Sequence, residues 1–290
     1  MGKTTTMLNA LTIDLEDWYH PELVRSQLTL AEQEALVEQS TQPLLDLLRE
    51  GNVKATFFIV GQVAQRHPRL IEALAAEGHE LACHGMSHRP LWEMTPEEFR
   101  AELEDFDRVI SAVVPGADIV GFRAPTFSLD NRTRWALDVL AEFGYKYDAS
   151  LFPMRTPLYG MDGCPLMPYH PSKEDLARPD DHGALIEFPM SVWTGAGLRL
   201  PVSGGFYLRA MPFSLVRLCL RQIAAQRPVV IYVHPWEANP YTPRLQLPFW
   251  ARLATYYNIG AVLPRLRTLL KVFPFAPMRI VLEELGELKG

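Results

Sequence analysis

Two histidines four residues apart, in His84-Gly85-Met86-Ser87-His88, combine a residue type and a spacing that suggest chemistry. On a helical turn an i, i+4 pair turns both imidazoles to one side, where neutral rings can share a metal ion. A catalytic site of this kind takes a third protein ligand and keeps an open position for water. The acid cluster Asp14-Leu15-Glu16-Asp17 offers that carboxylate. A metal held this way polarises a carbonyl and lowers the pKa of water, as amide hydrolysis requires. A further histidine, His234, ends an apolar run and precedes Pro235-Trp236-Glu237. Histidine titrates near neutrality, which suits a general acid that protonates a leaving amine.

The elements that must position these residues alternate between strand and helix. Residues 7–14, 53–60, 80–83, 119–122, 185–188 and 229–233 read as short buried strands, with a brief strand-like segment at 145–147. Helical spacing marks residues 30–50, closed by Gly51, then residues 68–77, closed by Gly78, and residues 212–225. Thr95-Pro96-Glu97-Glu98 opens the clearest helix as a capping box with proline at N1, and Asp130 is read as the cap of another that runs to Phe143. Residues 153–183 are rich in Pro, Gly and Asp and read as a long loop over a substrate. Such alternation predicts a parallel sheet with helices outside. The acids, His84, Arg123, Asp148 and His234 all follow strands, and barrels build active sites at the C-terminal ends of their strands.

With 48% hydrophobic and 21% charged residues, the chain is ordinary globular material. A net charge of −6 with no Lys/Arg cluster argues against a nucleic-acid partner. Three cysteines, Cys83, Cys164 and Cys219, do not make a disulfide framework and point to a reducing compartment. The first residues lack the apolar core of a secretory signal, and no run is long enough to span a membrane, so the expectation is a cytoplasmic protein. The Met1-Gly2…Thr6 acylation pattern and the Gly2-Lys3-Thr4 phosphate-loop fragment are read as coincidences, as is the sequon Asn131-Arg132-Thr133.

The blocks TIDLED (12–17), HGMSH (84–88), FRAPTF (122–127), YDASLFP (147–153) and YVHP (232–235) occur in order, with ATFFIVG (55–61) and LIEALAAEGHELACH (70–84) between them. On these blocks the chain resembles the NodB-homology polysaccharide deacetylases of carbohydrate esterase family 4, over residues 11–240. Within that family it is most similar to the exopolysaccharide-associated subgroup with a C-terminal extension. The resemblance implies a distorted (β/α)7-8 barrel of the NodB type, a single domain over residues 7–240, with residues 241–290 a helical extension packed on the barrel. It implies an N-deacetylase that removes acetyl groups from amino sugars of a polysaccharide or its lipid-linked precursor. An allantoinase-like hydrolase of a small cyclic amide and a catalytically silent glycan-binding barrel are the alternatives; the presence of both Asp14 and His234 speaks against the last.

Residue by residue, the resemblance assigns Asp14 as general base, His84 and His88 as metal ligands, and Arg123 as the residue that orients the base. It makes His234 the general acid and Asp148 the acid that supports it. The implied cofactor is a divalent metal, zinc first, with cobalt, nickel or manganese as alternatives. Leu15 stands where the commonest family pattern has a second acid, so the third ligand is Glu16 or Asp17. Strand alternation places Glu16 on the face of Asp14, whereas a turn after Asp14 would present Asp17 instead. Trp18, Tyr147, Trp193 and Tyr207 are candidates for stacking on sugar rings, Ser203-Gly204-Gly205 for close approach of a glycan to the backbone, and an N–H between Tyr147 and Ser150 for an oxyanion hole. No nucleic acid and no transmembrane segment are expected; recruitment to a synthesis complex at the inner membrane is a further expectation.

Overall fold

The computed structural model describes residues 7–28 and 33–288. The N-terminal acylation and phosphate-loop patterns, and the start of the helix expected from Leu30, lie outside the described residues. The strands are β1 (Asn9–Leu15), β2 (Thr56–Ile59), β3 (Glu80–Cys83), β4 (Gly121–Phe122), β5 (Tyr147–Asp148), β6 (Ile186–Glu187), β7 (Val192–Gly195), β8 (Leu198–Pro201), β9 (Val230–Val233) and β10 (Phe275–Ala276). Strands β1 to β6 pair parallel in chain order, and β1 also pairs in parallel with β9 and β10. The sheet curls into a distorted α/β barrel; among the described residues no ladder joins β6 to β9, so hydrogen bonding does not close it. Every residue of β1, β2 and β9 is buried, as expected when helices cover one face of a parallel sheet and packed side chains fill the other.

Register delivers the site. Ile13 sits opposite Val233, Ile59 opposite Cys83, and Cys83 opposite Phe122. Asp14, inside β1, is therefore level with His234, while His84 and Arg123 follow the ends of β3 and β4 two residues further along, level with Glu16.

Several elements differ from the sequence reading for local reasons. The helix Val37–Gly51 runs through Gly51, and Asn52 takes the left-handed cap (φ 48°, ψ 44°). Asparagine tolerates that region, so the glycine was not needed to stop the helix. Asp130 does accept a backbone N–H, from Arg132, but only turns follow and the helix proper is Ala136–Glu142. The antiparallel hairpin β7–β8 was not anticipated. Residues 241–290 carry the helices Phe249–Tyr256, Val262–Leu270 and Met278–Glu284, but they also contribute β10 to the barrel sheet. At two residues between Pro274 and Pro277, β10 is too short for alternation to reveal.

The helix Pro96–Val113 begins with the capping box read from sequence: Thr95 Oγ1 accepts from Glu98 N at 3.2 Å and Glu98 Oε2 from Thr95 N at 2.9 Å. Phe99, Leu103, Phe106 and Ile110 form its buried stripe. Replacing Thr95 with alanine strands one N–H and should lower the unfolding free energy by about 1 kcal/mol. Urea titration of T95A checks this, and an unchanged midpoint would show the cap to be idle.

Candidate active site

A cavity of about 310 Å³ opens at the C-terminal ends of the strands, lined at its floor by Asp14, Glu16, His84, His88 and His234. Arg123 lies directly beneath and is completely buried. Its Nη1 donates to Asp14 Oδ1 and to Thr12 Oγ1 (2.9 Å), its Nε donates to Ala149 O (3.0 Å), and the guanidinium lies 4.1 Å from the centre of the Phe58 ring. The Arg123 carbonyl also meets His84 Nδ1 at 2.7 Å. That bond places the proton on Nδ1, so Nε2 keeps its lone pair. Burial, outweighing the nearby carboxylates, lowers the His84 pKa to about 4, and the ring is neutral at pH 7.

Glu16, His84 and His88 form one group: a ligand atom from each lies within 4.8 Å of the others. His88 Nε2 is 2.6 Å from Glu16 Oε2, and Trp236 Nε1 donates to Glu16 Oε1 at 2.9 Å. His88 holds a left-handed backbone (φ 61°), a conformation that a non-glycine residue adopts at a cost. Burial favours a neutral Glu16, but the surrounding His88 and His234 prevail and hold its carboxyl below the usual range. Asp17 takes no part. Its Oδ1 accepts from Trp18 N (2.8 Å) and its Oδ2 from Leu36 N and Val37 N (2.9 and 3.1 Å), tying the β1 end to the start of the helix Val37–Gly51. His20 likewise braces the turn, its Nδ1 accepting from Asp17 N at 2.8 Å.

His234 faces the group from the other side, with Nε2 3.6 Å from Glu16 Oε1 and 3.8 Å from Asp14 Oδ2. Sequence reading gave its support to Asp148, and the structure gives it to Glu237, whose Oε2 meets His234 Nδ1 at 2.8 Å. Glu237 Oε1 in turn pairs with Arg209 Nε at 2.8 Å, both side chains being buried. Burial would lower the His234 pKa, but the carboxylates of Glu16, Glu237 and Asp14 raise it to about 9. Asp148 instead bonds Ser150, and no hydrogen bond links it to His234. Beside it, burial and the Asp148 charge push Glu187 well above the usual carboxyl range. The N–H groups of Tyr147, Ala149 and Ser150 are bonded within the protein.

Of the aromatic candidates, only Tyr207 lines the cavity. Trp18 is buried with Nε1 on Glu34 O, Tyr147 is buried with its hydroxyl on Glu80, and Trp193 bonds Gln222 away from the cavity. The aromatic walls that sequence reading missed are Phe127, Tyr159, Tyr232, Trp236 and Trp250. Gly204 and Gly205 do not receive a glycan backbone-first. A Cβ at Gly204 would meet the Tyr232 ring at 1.8 Å and one at Gly205 the Glu237 carboxylate at 2.2 Å, so these glycines make room for two groups of the site. Glu237 had a local signal, since His-x-x-Glu has capping-box spacing. Arg209 had none.

Comparison with known proteins sharpens this geometry. Residues 27–147 match the polysaccharide deacetylase family. Residues 149–283 match a domain of unknown function, DUF3473. His84, His88 and Arg123 fall in the first segment, His234, Glu237 and Arg209 in the second, and Asp14 and Glu16 precede both. The chitooligosaccharide deacetylase of a Bradyrhizobium species is 38% identical over 101 residues, 35% of this chain and 43% of that protein. The chain thus aligns with under half the length of this curated relative. Among solved structures, a Mycobacterium smegmatis protein assigned as a polysaccharide deacetylase superposes with a TM-score of 0.65 at 22% identity, covering 100% of this chain and 94% of its own. Puue allantoinase superposes with a TM-score of 0.61 at 15% identity, again over 100% and 94% of the two chains. At these identities the likeness is one of fold.

Glu16 and Asp17 can be separated experimentally. Glu16→Gln should abolish retention of a divalent ion, read by metal analysis after dialysis. Asp17→Asn should leave metal content unchanged and instead lower stability by about 1–3 kcal/mol, as its buried N–H partners lose a charged acceptor.

Proposed function

We propose that this chain is a metal-dependent hydrolase that removes acetyl groups from N-acetylated amino sugars of a polysaccharide. The observation that carries this reading is the convergence, in one cavity, of three ligand atoms with an anchored acid on one side and a histidine–glutamate pair on the other. The residues fit a divalent cation. The buried Glu16 carboxylate, the neutral His84 imidazole and His88 converge, each offering a ligand atom to one point. Two imidazoles and a carboxylate suit zinc, with cobalt, nickel and manganese as alternatives. When bound, the cation supplies Lewis acidity toward the amide carbonyl and the attacking water.

The chain's own residues supply the proton transfers. Arg123 fixes one oxygen of Asp14, leaving the other directed at the cavity to accept a proton from water. His234, protonated on Nε2 and held through Nδ1 by Glu237, delivers a proton to the departing sugar amine. Tyr207, Trp236 and Trp250 offer faces to the sugar ring. The order of blocks read from sequence supports an exopolysaccharide, or its lipid-linked precursor, as the glycan. Three unpaired buried cysteines fit a reducing, cytoplasmic setting.

The direct test is acetate release from N-acetylated chitooligosaccharides by metal-loaded protein, abolished by a chelator and restored by zinc. No acetate from any N-acetylated glycan, or acetate unaffected by metal removal, would sink the proposal; ring opening of allantoin without acetate release would favour the cyclic-amide reading. His234→Ala should keep its metal and lose about 10²–10⁴-fold in turnover. Glu237→Gln removes a negative charge that raises the His234 pKa. Activity that needs protonated His234 is lost as pH rises through that pKa, so the alkaline limb should move to lower pH in E237Q. An unmoved limb would show that Glu237 does not tune the acid.

A further inference from the structure

The helix Phe249–Tyr256 and its flanks carry an apolar surface with no protein partner among the described residues. Tyr241 is 79% exposed, Phe249 72% and Trp250 55%, and Leu253 and Tyr257 are also exposed. They surround Arg244 and Arg252, and neither arginine forms an ion pair among the described residues. The charge along this stretch of the chain is one-sided. From Ala238 to Leu282 the sequence has no Asp or Glu, yet it holds Arg244, Arg252, Arg265, Arg267, Lys271 and Arg279, in a chain whose net charge is −6. Arg265, Arg267 and Arg279 are engaged with the protein, by carbonyls of 208 and 211, by Glu50 and by Asp118 respectively. The two arginines left free are those among the exposed aromatics.

We propose that this surface docks on an anionic lipid bilayer. Two features select lipid over a glycan. Phe249 and Leu253 present hydrocarbon with no polar edge for sugar hydroxyls, and Trp250, Tyr241 and Tyr257 add rings with an apolar body and a polar tip, the side chains that settle at headgroup depth. Arginines that form no ion pair among the described residues are attracted to anionic headgroups, whereas a neutral glycan offers them no charge. The docking face is continuous with the cavity, because Trp250, Ala254 and Thr255 on the same helix form part of its wall. Docked, the cavity mouth opens beside the lipid, where a membrane-anchored glycan would be presented. This inference stands on the surface alone and is independent of the reaction proposed above.

Cosedimentation of the full chain with vesicles tests it, comparing phosphatidylcholine alone with phosphatidylcholine containing phosphatidylglycerol. Binding is expected only to the anionic vesicles, and it should weaken as salt rises. Arg252→Glu and the pair Phe249→Ser/Leu253→Ser should each reduce the bound fraction by about tenfold or more. Both variants should keep the parent thermal transition and release acetate from a soluble oligosaccharide at the parent rate, since none of these residues lines the cavity. No binding to anionic vesicles, or equal binding by folded variants, would overturn the proposal. A concentration-dependent dimer that Phe249→Ser/Leu253→Ser dissociates, without vesicle binding, would overturn it in favour of contact between copies.

Discussion

Arg123 is a guanidinium with no access to solvent, and its environment is the condition for the rest of the site. A charge removed from water must be paired and hydrogen-bonded, and breaking a buried pair by removing one partner typically costs about 3–5 kcal/mol. Arg123 meets that requirement with Asp14, Thr12 and the Ala149 carbonyl, which come from β1 and from the loop after β5. Its main chain bonds back to β3 through Cys83 O and to His84 through its own carbonyl. A single residue therefore fixes the Asp14 carboxylate and the tautomer of His84. Neither can drift without leaving a buried polar group unpaired.

Arg209 repeats the arrangement on the opposite wall. It holds Glu237, which holds His234, and it also donates to the carbonyls of Ala254 and Tyr257 at the end of the helix Phe249–Tyr256. The helix that bears the exposed aromatic surface is thus tied by a short chain of hydrogen bonds to the histidine of the site. Two buried arginines each anchor one carboxylate, and the remaining acid, Glu16, faces His84 and His88.

Much of this was legible in the sequence. Glu80–Cys83 was read to its ends, and the capping box at Thr95 was read with its partner. The strand ends bearing Asp14, His84, Arg123 and His234 were visible because a buried parallel strand is a short apolar run, and a polar residue straight after it stands out. Short or strained elements were not: β10 between two prolines, the left-handed cap at Asn52, and the Gly204–Gly205 approach each depend on contacts that local pattern does not encode.

Sequence alone marked the polar residues that meet at the cavity, because Asp14 and Glu16 lie at the end of one short buried strand and His84, Arg123 and His234 each directly follow another, and such runs are local properties. It left Glu16 and Asp17 open, since strand alternation mildly favours Glu16 whereas a turn after Asp14 would present Asp17. Tertiary structure surrounds Asp17 with three backbone N–H groups and directs Glu16 at the histidines. It also transferred support of His234 from Asp148 to Glu237. Asp148 and Glu187 are neighbours across the β5–β6 pair, where burial raises the pKa of both, and Asp148 accepts from Ser150 there. Such partnerships are set by which buried charges meet in space, and spacing along the chain does not contain that information.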